Sequence, residues 1–232
     1  MKLRFRIFRF DPSRDCSPYQ RTYAVEADSE ERVLDCLNKI RWEQDGTLAY
    51  RMSCAHGVCG SDAMKINGKC ALACQKLVKE VLSDEILVEP LPSFPVLKDL
   101  IVDLSSFYAK VDWVRPYLIA TNTPEKERLQ LPGDQHKISE AIRCILCACC
   151  MGSCPVCQSD ERFLGPAPLV QAFRRIFDTR DEGLEQRLLA VDDPEGVWGC
   201  VSHFECTRAC PKEIKVTKHI NELKRVIKGR QD

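Results

Sequence analysis

Cys144-Ile145-Leu146-Cys147-Ala148-Cys149-Cys150-Met151-Gly152-Ser153-Cys154-Pro155 decides the fold of this chain, and Cys200-Val201-Ser202-His203-Phe204-Glu205-Cys206-Thr207-Arg208-Ala209-Cys210-Pro211 repeats its outline 56 residues later. In a run of this spacing the first three thiolates wrap one iron–sulfur cluster from a tight turn, while the cysteine before proline points away and ligates a second cluster. The two runs are therefore expected to exchange their last cysteines. Cys144, Cys147, Cys150 and Cys210 then supply four thiolates, the number a cubane [4Fe-4S] cluster requires. The second set is Cys154, Cys200 and Cys206, because His203 stands where regular spacing would put another thiolate. Three thiolates suit a [3Fe-4S] cluster; a histidine ligand at the fourth corner is the alternative.

Outward from these runs the apolar residues recur at helical spacing. Val170, Phe173, Ile176 and Phe177 share one side of a helix after Gly165-Pro166, and Ile220, Leu223, Val226 and Ile227 do the same near the C-terminus. Pro90, Pro92 and Pro95 read as a connector, and a boundary near Asp103 gives two expected domains, 1–103 and 104–232. The first half has a different period. Leu3, Phe5 and Ile7 alternate with Arg4 and Arg6 as in a half-buried strand that Asp11-Pro12-Ser13 stops, and a second strand is expected over Gln20 to Val25. Val33, Leu37 and Ile40, with Leu34 alongside, mark a helix whose start reads as Ser29. Ala63 to Ile66, Asn67-Gly68 and Leu72 read as a hairpin on a type I′ turn, and Ile86 to Val88 as the last strand. Strand, strand, helix opens a β-grasp fold. The fold class is α+β, a β-grasp domain followed by a helical one.

The loop of that first domain carries Cys54-x4-Cys59-x2-Asp62-x11-Cys74, the plant-type [2Fe-2S] pattern with aspartate in third place. Gly57 and Gly60 let the backbone bend around a cluster with amides turned toward its sulfurs. A carboxylate is a hard oxygen donor to iron, so Asp62 is the expected third ligand beside Cys54, Cys59 and Cys74. Cys70 is the rival, although its spacing fits no recognised pattern.

Composition narrows the classes further. The 232 residues are 44% hydrophobic, enough for real cores. The opening MKLRFRIFRF lacks a continuous apolar segment, so no secretory signal is expected, and the 15 cysteines read as metal ligands rather than as a disulfide framework. Lys plus Arg equals Asp plus Glu at 34 each, which offers no electrostatic footprint for nucleic acid. No apolar run approaches the roughly 20 residues needed to cross a bilayer, so membrane association is expected only through a partner.

Taken together, Cys54-Ala55-His56-Gly57-Val58-Cys59-Gly60-Ser61-Asp62, Cys144-Ile145-Leu146-Cys147 and Cys206-x3-Cys210-Pro211 resemble the iron–sulfur subunit of succinate dehydrogenase and fumarate reductase, respiratory complex II. Phe163-Leu164-Gly165-Pro166-Ala167 and Asp178-Thr179-Arg180-Asp181 also recur in that subunit, and the likeness covers nearly the whole chain. The resemblance implies a plant-type [2Fe-2S] ferredoxin domain and a bacterial-type two-cluster ferredoxin domain. It implies an electron wire between a flavoprotein subunit with covalently bound FAD and a membrane anchor, in some members with haem b, where quinone binds. It also implies a peripheral place on the cytoplasmic face of the bacterial cell membrane. In the family some bacterial members likewise use aspartate at the Asp62 position. Pro155 and His203 match positions lining the quinone pocket, whereas Ser159 stands where ubiquinone-using members have tryptophan.

The remaining cysteines and His56 have plainer readings. Cys149 is expected to pack away from the cluster, and Cys157 forms a Cys154-x2-Cys157 pair that also suits zinc. Cys16 and Cys36 read as isolated thiols, and one histidine, His56, is too few for Rieske-type ligation. Two other functions compete: an electron-transfer subunit of another flavin-dependent dehydrogenase, and a zinc-stabilised interaction module.

Overall fold

The computed structural model describes every residue except 82, 84, 231 and 232. The chain forms two compact units: Met1–Leu104 with Cys147–Ser153, and Ser105–Leu146 with the chain from Cys154 onward.

The first unit is built on β1 (Lys2–Arg9), β2 (Tyr19–Glu26), β3 (Ala63–Ile66), β4 (Lys69–Leu72) and β5 (Ile86–Glu89), in the sheet order β2-β1-β5-β3-β4. β1 runs parallel to β5, and the other pairs are antiparallel. The alternation of β1 is real: Leu3, Phe5 and Ile7 are buried while Arg4 and Arg6 are exposed. Helix α1 (Val33–Lys39) and the π-helical turn Ile40–Gln44 add Val33, Leu34, Leu37 and Ile40 to the core of this unit. Each such side chain contributes roughly 1.5–3 kcal/mol when fully buried. Asn67 and Gly68 both have positive φ, 45° and 80°, the signature of the expected hairpin turn.

Two expectations for this unit are corrected. The helix begins at Val33, with Arg32 as its cap, not at Ser29. The carbonyls of Ser29 and Glu31 instead accept hydrogen bonds from Lys79 and Val78, so the segment before the helix pairs with the distant 3-10 turn Val78–Glu80, which a local pattern cannot reveal. Nor is β5 the last strand, because β6 (Val96–Lys98) and β7 (Ile101–Val102) form a ribbon inside the proline-rich stretch read as a connector. Strands this short carry no periodic signal. Asp99, at the tip, has φ +47° and accepts hydrogen bonds from Arg9 Nε (3.0 Å), the Phe10 amide (2.9 Å) and the Ala49 amide (2.8 Å). The short helix α4 (Cys149–Gly152) belongs to this unit and lies against β4.

The second unit contains α2 (Ser105–Trp113), α3 (Pro132–Ile142), α5 (Pro155–Ser159), α6 (Pro166–Ile176), α7 (Leu184–Val191), α8 (Glu205–Arg208) and α9 (Val216–Lys228). Helix α6 is its hub and packs on α2, α3, α7 and α9. That position buries every residue of Pro166–Phe173, Gln171 included, rather than the single face expected from periodicity. Helix α9 keeps one apolar face, with Ile220, Leu223 and Ile227 buried and Val226 half-buried. The recurring Asp178-Thr179-Arg180-Asp181 stretch has a packing role: Asp178 pairs with Arg180, and Asp181 with the fully buried Arg187.

Candidate metal centres

The first centre lies on the loop between Cys54 and Asp62 and on the turn after β4. Ala55, Gly57 and Gly60 adopt φ of 56°, 76° and 70°. For the alanine that conformation costs about 1–2 kcal/mol, and it turns backbone amides inward. Cys54 Sγ accepts hydrogen bonds from the amides of His56 (3.5 Å), Val58 (3.4 Å) and Cys59 (3.3 Å), which together pull its thiol down to about 6. Cys59 Sγ receives the Ser61 amide at 3.5 Å and contacts the Ser61 hydroxyl at 3.1 Å. Cys74 is pushed up to about 12, first by burial and then by neighbouring Asp62, although it accepts the Gly57 amide.

Asp62 is only 2% exposed. Its Oδ2 accepts the Cys74 amide at 2.6 Å, while its buried Oδ1 has no hydrogen-bond partner among the described residues. A buried carboxylate oxygen left unpaired costs free energy, and a metal is the kind of partner that would satisfy it. The donor set of three thiols and one free carboxylate oxygen therefore fits a [2Fe-2S] cluster. The rival Cys70 is buried in β4 beside α4; a Cβ placed on Gly152 would lie 3.2 Å from Cys70 Sγ. His56 is exposed, with Nδ1 2.6 Å from the Cys54 carbonyl.

The two cysteine runs share a backbone design that spacing alone does not reveal. Leu146 and Ala148, flanking Cys147, have φ of 54° and 63°; Ser202 and Phe204, flanking His203, have 61° and 65°. A four-residue helix follows each time, α4 carrying Cys150 and α8 carrying Cys206 as second residue. Paired left-handed residues without glycine are strained conformations of the kind that cluster at functional sites. His203 thus occupies the backbone slot that Cys147 has in the first run, and it is exposed.

Within the second unit, Cys154, Cys200 and Cys206 line one recess with Pro155, His203 and Phe204. Cys154 precedes α5, and its thiol is brought down to about 6, first by the Cys157 thiol and then by the amides of Cys157 and Val156, against the opposing effect of burial. Burial pushes Cys206 up, and hydroxyls of Thr217 and Thr207 pull it back. Three thiols without a fourth at the matching slot fit a [3Fe-4S] cluster. Ser159 is exposed at the end of α5, where its hydroxyl donates to the Val156 carbonyl at 3.2 Å. In the first unit Cys147 is held down chiefly by the thiol of the fully buried Cys149. Cys144 follows α3 and Cys210 follows α8, both half-buried. Among the described residues no three His, Cys, Asp or Glu side chains converge tightly enough to hold a single metal ion.

The partners of these sulfurs went unseen in the sequence. Cys157 has a spacing to Cys154 that suits zinc, and Thr217 carries no spacing signal at all.

Fold and donor sets define the class: an iron–sulfur protein with a β-grasp [2Fe-2S] domain and a helical domain for further clusters. Residues 4–109 match the family model described as a 2Fe-2S iron-sulfur cluster binding domain, and residues 140–214 match a 4Fe-4S dicluster domain. The succinate dehydrogenase iron-sulfur subunit of Coxiella burnetii is 42% identical over 224 residues, covering 95% of this chain and 94% of that protein. Its counterpart from Paracoccus denitrificans is 42% identical over 230 residues, 98% of this chain and 88% of its own. A chain of the Mycobacterium smegmatis Sdh1 complex in the apo form superposes with a TM-score of 0.90 at 27% identity, covering 99% of this chain and 96% of that one. The chain belongs to the family of succinate dehydrogenase iron–sulfur subunits. Its role is electron transfer within an oxidoreductase complex. Among the described residues no helix is long and apolar enough to cross a membrane.

Proposed function

We propose that this chain relays single electrons between the FAD of a flavoprotein subunit and quinone at a membrane anchor, which carries haem b in some complexes of this kind. The ligands are Cys54, Cys59, Asp62 and Cys74 for a [2Fe-2S] cluster; Cys144, Cys147, Cys150 and Cys210 for a [4Fe-4S] cluster; and Cys154, Cys200 and Cys206 for a [3Fe-4S] cluster. Bound clusters would supply one-electron transfer, so the two-electron flavin and the two-electron quinone at either end must each tolerate a one-electron stage. The protein's part is to orient thiolates, set their hydrogen bonds and exclude water. Pro155, Ser159 and His203 border the quinone end, and the complex sits on the cytoplasmic face of the bacterial cell membrane.

One observation carries this reading: the duplicated left-handed frame holds Cys147 in one run and His203 in the other, leaving three thiols around one recess. The test is electron paramagnetic resonance of the purified complex with Cys206→Ser beside it. The unmodified complex is expected to show two-, three- and four-iron signatures and to reduce quinone with succinate. The variant is expected to lose the three-iron signal and quinone reduction while artificial acceptors still draw electrons from the flavin. Unchanged succinate–quinone activity in the variant refutes the ligand assignment. Turnover of a different substrate, with none of succinate or fumarate, identifies another flavin-dependent dehydrogenase.

A further inference from the structure

Thr217 stands at the second position of α9 and is 1% exposed. Its hydroxyl lies 3.4 Å from Cys206 Sγ and 3.1 Å from the hydroxyl of Thr207, and its amide donates to that same Thr207 oxygen at 3.0 Å. These contacts have two possible proton orders while Cys206 is a thiol. An iron-bound thiolate has no proton to give, so ligation fixes the sulfur as acceptor: the Thr217 hydroxyl, 3.4 Å away, donates to it, while the Thr217 amide donates to the Thr207 oxygen.

We propose that the Thr217 hydroxyl is a positioning residue that sets the reduction potential of the three-iron centre through its hydrogen bond to the Cys206 sulfur. The inference rests on Cys206 being a cluster ligand, as proposed above. Reduction adds an electron to an already anionic site, so a buried donor aimed at a ligand sulfur stabilises the reduced form more than the oxidised form. It therefore raises the potential. The position 56 residues before Thr217 is Glu161, a carboxylate residue in a turn outside any helix, so the repeat does not carry a threonine to that place in the first run. Thr217 lies seven residues beyond Cys210 and reaches Cys206 only because α8 packs on α9.

The test uses the assembled complex carrying Thr217→Val, Thr217→Ala or Thr217→Ser, with redox titration of each cluster followed by electron paramagnetic resonance. Valine keeps the shape of threonine and deletes the hydroxyl; alanine deletes it without added bulk, in case valine does not assemble. Either is expected to weaken reduction of the three-iron centre by about tenfold, about 59 mV for a one-electron couple, with the other two clusters unmoved. Serine, which retains the hydroxyl, is expected to stay near the unmodified potential. A shift below about twofold in both deletion variants, or an equal shift with serine, overturns the proposal. Absence of any three-iron signal from the unmodified complex removes instead the ligand reading of Cys206 on which it stands.

Discussion

Arg187→Met tests how the second unit holds its chain together. Arg187 and Asp181 are both fully buried as a pair, at 0% side-chain exposure each. Arg187 also donates through Nε (3.1 Å) and Nη2 (3.0 Å) to the Arg115 carbonyl and through Nη2 to the Tyr117 carbonyl (2.6 Å). Asp181 accepts the amides of Gly183 (2.7 Å) and Ile119 (3.1 Å). Methionine fills much of the volume but leaves a buried carboxylate without its cation and two carbonyls without donors. Breaking a buried pair from one side costs about 3–5 kcal/mol, a large share of the roughly 5–15 kcal/mol that holds a domain folded. With a urea slope of about 2 kcal/mol per molar, the midpoint is expected to fall by about 1.5–2.5 M. The assay is anaerobic urea unfolding of the full cluster-loaded chain, followed by far-ultraviolet circular dichroism. Arg187→Met with Asp181→Leu is expected to regain part of the loss, because the stranded charge is gone, but not all of it, because the four backbone groups stay unpaired. A fall under about 0.5 M, or a double variant as unstable as the two single losses added together, would refute the reasoning.

Asp62→Ala removes the buried carboxylate oxygen that has no hydrogen-bond partner among the described residues and is expected to diminish or abolish the two-iron resonance, whereas Asp62→Cys retains it with altered line shape; an unchanged resonance in the alanine variant argues for another third ligand. The acid limb of stability is expected to depend on His219, whose pKa is lowered by burial against the opposing pull of Glu140 and Glu222. The unfolded chain takes up that proton first, so the stabilising contribution is complete above the ordinary histidine value near 6.5 and is lost as pH falls below it toward the folded value. His219→Gln should flatten the urea midpoint between pH 7.5 and 5.5, and an equally steep loss in the variant assigns the acid sensitivity elsewhere.

Cysteine spacing, the alternation of Leu3, Phe5 and Ile7, and the Asn67-Gly68 turn were all legible without coordinates, because each is a local property of consecutive or regularly spaced residues. A hydrophobic period states which face is buried, and a ligand run must close around its cluster within one turn. The start of α1, the β6–β7 ribbon and the burial of α6 on every side were not legible, since each depends on residues far away in the chain: Lys79 and Val78 for the first, Arg9 and Ala49 for the second, four neighbouring helices for the third. The same division runs through the metal centres. Which residues are thiols and carboxylates is written in the chain, and so is the substitution of His203 for a cysteine. Only folding brought the Thr217 hydroxyl to Cys206 and left Asp62 Oδ1 buried without a partner, because a hydrogen bond depends on distance and direction in space, and sequence separation fixes neither.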